Sequence, residues 1–317
     1  MTAIVVQGDA RSLHLPDDSV DLIVTSPPYF ALRSYRDNGV HMAGQIGAEP
    51  TPAAYIDTLL ECTREWMRVL KPTGSLWVNL GDKYGPDKSL RGLPWRYALG
   101  CIDQIGLALR AEVVWSKSNG LPESVRDRVR RSHEQWFHFT AGPTYYAAVD
   151  AIREVPVGGH SGLAATFKRP KSSHTLVPGQ AEKQQRDNRP DVPAANPLGK
   201  LPGSVWTVAS QPLRVPAALG IDHFAAFPME FPRRIILGWS PEDGTVLDPL
   251  GGTGTVALVA DVHGRTGISV DLSRDYCRLA MWRTNDAKQR ERAMRGPKVK
   301  ASLWINSHCS PHRSARR

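Results

Sequence analysis

Short apolar runs and longer stretches with helical spacing alternate along the first 150 residues. Short apolar runs bounded by turn residues predict buried strands, whereas apolar residues that recur once per helical turn predict helices packed by one face. The clearest helix covers residues 53–70, where Tyr55, Leu59 and Trp66 share one face and Lys71-Pro72 ends the pattern. Strands are predicted at 4–6, 20–25, 75–80, 111–115 and 136–140, and a second helix at 95–105.

The same alternation returns after a polar stretch. Strands are predicted at 244–248 and 267–270, and helices at 255–262 and 274–292. Strands that alternate with helices predict an α/β fold, with a mostly parallel sheet covered on both faces. The stretch between, 153–203, is rich in Pro, Gly, Ser, Gln and Lys. Because such a composition packs a core poorly, we expect a long loop or a recognition insert there.

Length and composition agree with a folded protein of one large α/β domain with an insertion, or of two small domains. Hydrophobic residues make up 41% of the 317 residues, which is enough for a core. No apolar run approaches the roughly 20 residues that span a bilayer, and the N-terminus lacks the pattern of a signal peptide. The four cysteines form no Cys-x-x-Cys pair. We therefore expect a cytoplasmic protein with no membrane partner and no metal site.

The net charge of +9 is concentrated at the C-terminus. Residues 288–317 carry nine basic side chains and one acid, Glu291. A loose basic tail attracts phosphate backbones without reading their sequence, although a solvated terminus would have the same composition. The chain thus divides into four segments: 1–152, 153–203, 204–287 and the tail 288–317.

A glycine-rich turn joins the predicted strand 244–248 to the helix that starts at Thr255. Its sequence is Asp248-Pro-Leu-Gly-Gly-Thr-Gly254. Glycines let a backbone turn tightly and approach a ligand, and a helix N-terminus favours polar or anionic groups. Asp271 ends the next predicted strand, where a carboxylate can accept hydrogen bonds from ribose hydroxyls. The turn predicts a nucleoside-containing cofactor and by itself also fits a nicotinamide-dependent oxidoreductase.

Ser26-Pro27-Pro28-Tyr29 follows the predicted strand 20–25. Two prolines remove two N–H groups and stiffen the turn, so that the carbonyls of Ser26 and Pro27 can act as fixed acceptors. An aromatic ring beside such acceptors suits a planar base that carries an amino group. The oxidoreductase hypothesis leaves this motif unexplained.

Together these motifs resemble those of the DNA amino-methyltransferases, a family that uses S-adenosylmethionine to methylate cytosine N4 or adenine N6. Ser26 to Tyr29 match the family's catalytic motif, and Asp248 to Gly254 match its cofactor motif, with Leu250 where an aromatic residue is usual. The catalytic motif precedes the cofactor motif, which is the permuted order called β in this family. The resemblance covers most of residues 4–285, including scaffold-like segments around Lys117 and His133-Glu134.

The resemblance implies a circularly permuted, Rossmann-like methyltransferase fold with a target-recognition insert. The catalytic residues would be Ser26, Pro27, Pro28 and Tyr29. The cofactor-binding residues would be Asp9, Phe227, Asp248, Leu250, Gly252, Gly254, Thr255 and Asp271. The DNA-binding residues would be Arg126, Arg128, Lys168, Arg169, Lys171, Arg186 and Arg189.

The implied partner is double-stranded DNA, with the target base flipped out of the stack, and a separate restriction endonuclease is left open. Ser26 in the first position of the catalytic motif resembles the cytosine N4 members, so cytosine N4 is expected and adenine N6 is the alternative. A DNA-binding protein without activity, and RNA or protein amines as substrates, also remain open at this point.

Overall fold

The computed structural model describes residues 2–32, 36–37, 40–42, 44–120, 122–154, 196–221 and 226–295. Most of the predicted insert lies outside them, and so do Lys168, Arg169, Lys171, Arg186 and Arg189. The strands are β1 (Ala3–Gln7), β2 (Val20–Thr25), β3 (Arg36–Asp37), β4 (Val40–His41), β5 (Leu70–Leu80), β6 (Ala108–Ser116), β7 (His133–Thr140), β8 (Val205–Thr207), β9 (Thr245–Asp248) and β10 (Thr266–Asp271). The helices are α1 (Pro52–Val69), α2 (Leu93–Gly100), α3 (Glu230–Trp239), α4 (Thr255–Val262), α5 (Arg274–Asn285) and α6 (Ala287–Arg295).

Eight strands form one sheet in the order β1-β10-β9-β2-β5-β7-β6-β8. Neighbouring strands from β1 to β5 are parallel, and β7 runs antiparallel to β5 and β6. The two C-terminal strands β9 and β10 lie between β1 and β2, which belong to the N-terminal half. This interleaving confirms the predicted α/β fold with a permuted order, because the sheet is continuous only when both halves contribute to it.

Successive apolar side chains of the central strands pack into two hydrophobic clusters, one on each face of the sheet. In β2, Ile23 packs in the cluster that contains α1 and α2, whereas Leu22 and Val24 pack with α3 and α4. The same split occurs in β9, where Val246 and Leu247 belong to opposite clusters. Successive side chains of a strand point to opposite faces, so these buried strands require helices on both sides.

The prediction of a single helix over 274–292 was wrong. Asp286 leaves the helical conformation between α5 and α6, and α6 continues to Arg295. The start of the basic segment 288–317 is therefore not loose: Ala293 and Gln289 are buried, and Arg290 pairs with Asp261 at 2.5 Å. Ala293 packs in the same cluster as the buried residues of α4.

The helix predicted at 95–105 is two elements. It begins at Leu93, and from Cys101 to Ile105 the chain takes the wider π-helical form. Cys62, Cys101 and Cys277 are buried and form no disulfide bond with one another. Across the described ranges, no helix is both long and apolar enough to cross a membrane.

Candidate active site at the carboxyl edge of the sheet

The carboxyl ends of the five parallel strands meet at one edge of the sheet. Asp9 follows β1, Asp271 ends β10, Asp248 ends β9, Ser26 follows β2 and Asn79 lies near the end of β5. In open α/β sheets, ligands bind outside this edge, where the connections diverge to the two faces. The edge therefore brings both sequence motifs together.

The cofactor turn, residues 248–255, has a conformation that its glycines permit. Gly252 and Gly254 have φ of 49° and 70°, in the left-handed region. A Cβ on Gly254 would also lie only 2.9 Å from the Cβ of Ala280 on α5. Another residue at either position would strain the turn, and at Gly254 it would push α5 away.

Asp271 is already oriented by the turn. Its Oδ2 accepts a hydrogen bond from the Gly252 N–H (2.9 Å), and its Oδ1 accepts one from the Ser273 N–H (2.8 Å). Each carboxylate oxygen has more than one lone pair, so these bonds leave the acid able to accept from a diol. The placement agrees with the predicted role in holding ribose hydroxyls.

Asp248 is buried beneath the turn, with 1% of its surface exposed. Its Oδ1 accepts from the Leu250 N–H at 3.1 Å, and burial raises the pKa of this carboxyl to about 7. Leu250 packs against the core cluster that contains α1. Both residues support the turn, Asp248 through its bond to the Leu250 N–H and Leu250 through its contact with the core.

A buried arginine that sequence reasoning missed holds the start of α4. Arg283, 3% exposed, donates to the hydroxyls of Thr253 and Thr255, the latter at 2.7 Å. Burial lowers the pKa of this guanidinium to about 10. The Thr255 hydroxyl is thus engaged in fixing the turn, and nothing in the sequence near residue 283 indicates this pairing.

Two further predicted cofactor residues lie outside the turn. The carboxylate of Asp9 pairs with Arg11 (2.7 Å), whose hydrogen bonds lower the pKa of that carboxyl. Phe227 packs edge-on against Trp136, with ring centroids 5.5 Å apart. A glycine turn, an oriented acid and an aromatic residue on one edge fit a cofactor with a ribose and a purine, such as S-adenosylmethionine.

The catalytic turn, residues 26–29, is held by side chains of neighbouring strands. The Tyr29 hydroxyl lies 2.8 Å from Asn79 Oδ1 and 2.7 Å from Glu134 Oε2, and either oxygen can accept its one proton. Ser26 Oγ donates to the same Asn79 oxygen at 3.2 Å, and Asn79 Nδ2 donates to the Gln135 carbonyl at 3.1 Å. The ring of Tyr29 lies against Gly81. These contacts fix the plane of the aromatic ring.

Glu134 is in turn held by Lys117, which pairs with its other carboxylate oxygen. Lys117 also lies 4.6 Å from the centre of the Trp115 ring. Burial, and secondarily the Glu134 charge, raises the pKa of Tyr29 well above its ordinary value, so its hydroxyl stays protonated and donates. The resulting network runs from Lys117 to Ser26.

The backbone carbonyls of the catalytic turn differ in their hydrogen-bond partners. The Pro28 carbonyl accepts from the Tyr55 hydroxyl at 2.9 Å and anchors the turn to α1. Within the described ranges, no hydrogen bond occupies the carbonyls of Ser26 and Pro27. The predicted acceptors for an amino group are therefore available beside the fixed ring.

Asn79, Glu134 and Lys117 were not predicted as site residues, although the segments around 117 and 134 resembled scaffold. Their proximity depends on the register between strands, with Asn79 opposite Trp136 and Ser116 opposite His133. The available signal was the polar Asn79 within an otherwise apolar strand, since a buried amide requires partners.

Arg126 and Arg128 lie on the loop between β6 and β7, at the same edge. Arg128 pairs with Glu123 (2.9 Å) and stacks over the Tyr84 ring at 3.7 Å, whereas Arg126 is exposed. Both line a cleft of about 600 Å³ together with Tyr84 and Lys88. The loop is thus adjacent to the residues that hold the catalytic turn.

Comparisons with known proteins agree with this geometry. The family model N6_N4_Mtase, described as DNA methylase, matches residues 20–281. The Type II methyltransferase M.SmaI of Serratia marcescens is 32% identical over 306 residues, which cover 87% of this chain and 88% of that protein. The fold is similar to that of the PvuII DNA methyltransferase (cytosine-N4-specific), with a TM-score of 0.65, 20% identity and 92% and 93% of the two chains covered. It is also similar to that of M1.HpyAVI in complex with SAM, with a TM-score of 0.52, 14% identity and 89% and 99% covered.

Proposed function

Because the chain belongs to the N6_N4_Mtase family of DNA methylases, which use S-adenosylmethionine, we propose that it methylates the exocyclic N4 of cytosine in duplex DNA. The observation that carries this proposal is the catalytic turn itself: a neutral Ser26 and two unoccupied carbonyls beside the fixed ring of Tyr29. The PvuII DNA methyltransferase, which has a similar fold, is cytosine-N4-specific.

An exocyclic amine is a poor nucleophile, because its lone pair is delocalised into the ring. Acceptance of its N–H groups by the carbonyls of Ser26 and Pro27 would favour a localised lone pair, and fixed acceptors need no reorganisation during the reaction. S-adenosylmethionine, when bound, supplies a methyl group on a positively charged sulfur. The catalytic and cofactor turns follow adjacent strands, β2 and β9, so the protein would hold both reactants at one place.

Tyr29 would position the base. A flipped base loses a few kcal/mol of stacking and pairing, part of which a protein aromatic ring can replace. The contacts of the Tyr29 hydroxyl with the acceptor oxygens of Asn79 and Glu134 hold that ring before DNA arrives, so little rotational freedom is lost on binding.

The second part of the proposal is that residues 153–203 select the target sequence. This segment contains eight basic side chains and four acids, interleaved with Gln184, Gln185 and Asn188. Arginine, glutamine and asparagine are the side chains that read guanine and adenine edges in the major groove. The ends of the segment are joined, since the Glu154 N–H donates to the Lys200 carbonyl (2.8 Å) and the Lys200 N–H returns a bond at 3.1 Å. A separate restriction endonuclease would be a further partner, since the relative M.SmaI is a Type II methyltransferase.

Replacement of residues 165–195 by a Gly/Ser linker tests whether the segment selects the target sequence, because it leaves the two hydrogen bonds between Glu154 and Lys200 in place. We expect site-selective methylation to be lost while S-adenosylmethionine binds as before. If the linker protein methylates the same sites at the same rate, target selection resides elsewhere. Removal of residues 296–317 is the matched control and should weaken binding to all DNA alike, with a smaller dependence on salt.

The reaction itself is tested by mass spectrometry of nucleosides from DNA incubated with the protein and S-adenosylmethionine. We expect N4-methylcytosine. Detection of N6-methyladenine would show that the chain is one of the adenine-N6 members of the family. Detection of 5-methylcytosine would contradict a mechanism that uses the exocyclic amine.

A further inference from the structure

The loop of residues 122–131 connects the two strands that carry the network around Tyr29. It follows Lys117, which comes just after β6, and precedes Glu134, which is the second residue of β7. Lys117 and Glu134 pair with each other, and Glu134 contacts the Tyr29 hydroxyl. The loop is therefore anchored at both ends to the pocket in which a flipped base would lie.

The loop is held in shape by its own arginines. Arg128 pairs with Glu123 and stacks over Tyr84 at 3.7 Å. Arg130 donates to the Gly120 carbonyl at 2.9 Å. Arg131 lies 3.4 Å from the carboxylate of Asp82, whose side chain is 4% exposed and accepts a hydrogen bond from the Leu93 N–H at the start of α2. These contacts fix the backbone on both sides of residue 129.

Val129, at the centre of these contacts, points into solvent with 86% of its surface exposed. Among the large hydrophobic residues of the described ranges it is the most exposed, the next being Val205 at 61%. A single exposed apolar residue is ordinary on a protein surface. An apolar side chain held between anchored arginines has the form of the apolar wedges that DNA-binding proteins insert between base pairs.

The surface around Val129 suits a phosphate backbone. The loop carries four arginines and two acids, and Arg126 is exposed. Across the cleft Lys88 is 80% exposed, and its ion pair with Asp127 at 3.0 Å is open to solvent. Exposed pairs of this kind contribute about 0–1 kcal/mol, so Lys88 can exchange this partner for a phosphate at little cost.

We propose that the loop 122–131 is a duplex-opening element: Val129 enters the base stack beside the target and stabilises the gap that the flipped base leaves, while Arg126 and Lys88 contact the flanking backbone. The proposal rests on the proposed function, because it assumes that a base leaves the duplex for the Tyr29 pocket. It assigns the loop to the opening of DNA, whereas residues 153–203 would select the sequence.

The experiment measures single-turnover methylation on two duplexes that contain the site methylated by the wild-type protein. In one duplex the target is paired, and in the other an abasic site stands opposite it, which lowers the cost of flipping. We expect Val129→Ala to be about 5- to 20-fold slower than wild type on the paired duplex and within about twofold of it on the abasic duplex, because only the former requires the wedge. Val129→Leu keeps an apolar side chain and should behave as wild type on both duplexes.

Met294→Ala is the matched control, since it shortens a side chain that is 57% exposed on α6; it should not change either rate. A Val129→Ala protein that is unimpaired on the paired duplex, or equally slow on both, would overturn the wedge. The wild-type rate on the abasic duplex tests the proposed function separately. If wild type methylates cytosine there and the Val129→Ala defect does not depend on pairing, the inference alone fails. If wild type methylates adenine instead, the proposed base is wrong, and the dependence of the Val129→Ala rate on pairing still tests the wedge.

Discussion

The cofactor turn and the catalytic turn lie at the same edge of the sheet but are held in different ways. The cofactor turn is fixed by its own backbone and by Asp271 and Arg283, whose contacts span 19 to 30 residues of sequence. The catalytic turn is fixed by Asn79 and Glu134, which lie 50 and 105 residues from Tyr29. One turn is built from local backbone geometry, and the other from side chains that meet only when the sheet is complete.

This difference predicts which functions can be separated by substitution. The bonds that hold Tyr29 do not pass through the cofactor turn, and those that hold Asp271 do not pass through the catalytic turn. Damage to the side-chain network should change the rate of methyl transfer, whereas damage to the backbone turn should change the affinity for the cofactor.

The largest effect is expected from Tyr29→Ala. It removes a stacking ring, worth about 1–3 kcal/mol per base, together with the side chain that Asn79 and Glu134 orient. We expect a loss on the order of 100-fold in the single-turnover rate with bound DNA. The control is Tyr146→Ala, which removes an exposed aromatic ring elsewhere. A variant at Tyr29 with the wild-type rate would contradict the assignment of the pocket.

A smaller loss in the rate of methyl transfer is expected from Glu134→Gln, which alters the side-chain network that holds Tyr29. The amide oxygen can still accept from Tyr29, but the bond loses its charge and Lys117 loses its ion pair. Charge-assisted hydrogen bonds exceed neutral ones by about 1 kcal/mol, which corresponds to about a fivefold slower transfer. Cofactor affinity should stay unchanged, and Tyr29→Phe combined with Glu134→Gln should be no slower than Tyr29→Phe alone. Glu61→Gln, at an exposed position on α1, is the control; additive losses in the double variant would show that Glu134 acts independently of Tyr29.

The smallest effect concerns the free energy of unfolding, to which Asp248, buried beneath the cofactor turn, contributes. Burial raises the pKa of Asp248 from 3.8 to about 7, so between these values the folded protein holds a proton that the unfolded chain has released. The contribution of Asp248 to the free energy of unfolding should therefore fall as the pH rises from about 4 to about 7. Asp248→Asn does not titrate, so its stability relative to wild type should increase across this window in urea titrations. Glu242→Gln, at an exposed carboxylate, should show no such change, and a difference for Asp248→Asn that is independent of pH would show that the buried acid is ionised.

The comparison also explains what the sequence could predict. The turn from Asp248 to Thr255 and the acid Asp271 were predictable because strand, glycines and helix are contiguous, and the predicted helix 255–262 agrees with α4. Strand β5 was predicted from residue 75 but starts at Leu70, directly after α1. Lys71-Pro72 looked like a break; in the fold, Leu70 pairs with Val20 and Lys71 binds Asp21 at 2.7 Å, which continues the strand.

The side-chain network could not be predicted in the same way. Asn79 and Glu134 meet Tyr29 only because β7 returns antiparallel beside β5 in one particular register. A shift of one residue would turn Glu134 to the other face of the sheet. The split between α5 and α6 has a similar tertiary cause, since α6 follows the surface of α4 instead of continuing along the axis of α5.

The central claim is that the two turns perform separate tasks, and calorimetry of S-adenosylmethionine binding to wild type, Tyr29→Ala and Asp271→Ala tests it most directly. Loss of the Asp271 carboxylate removes charge-assisted hydrogen bonds worth about 1.5–3 kcal/mol, so Asp271→Ala should bind about 10- to 150-fold more weakly. Asp271→Asn keeps one acceptor oxygen and so can hold only one of the Gly252 and Ser273 N–H groups; its affinity should fall between those of Asp271→Ala and wild type. Tyr29→Ala should bind within about twofold of wild type, because its contacts lie outside the cofactor turn. Wild-type affinity in Asp271→Ala, or an equal loss in Tyr29→Ala, would contradict this division of the site.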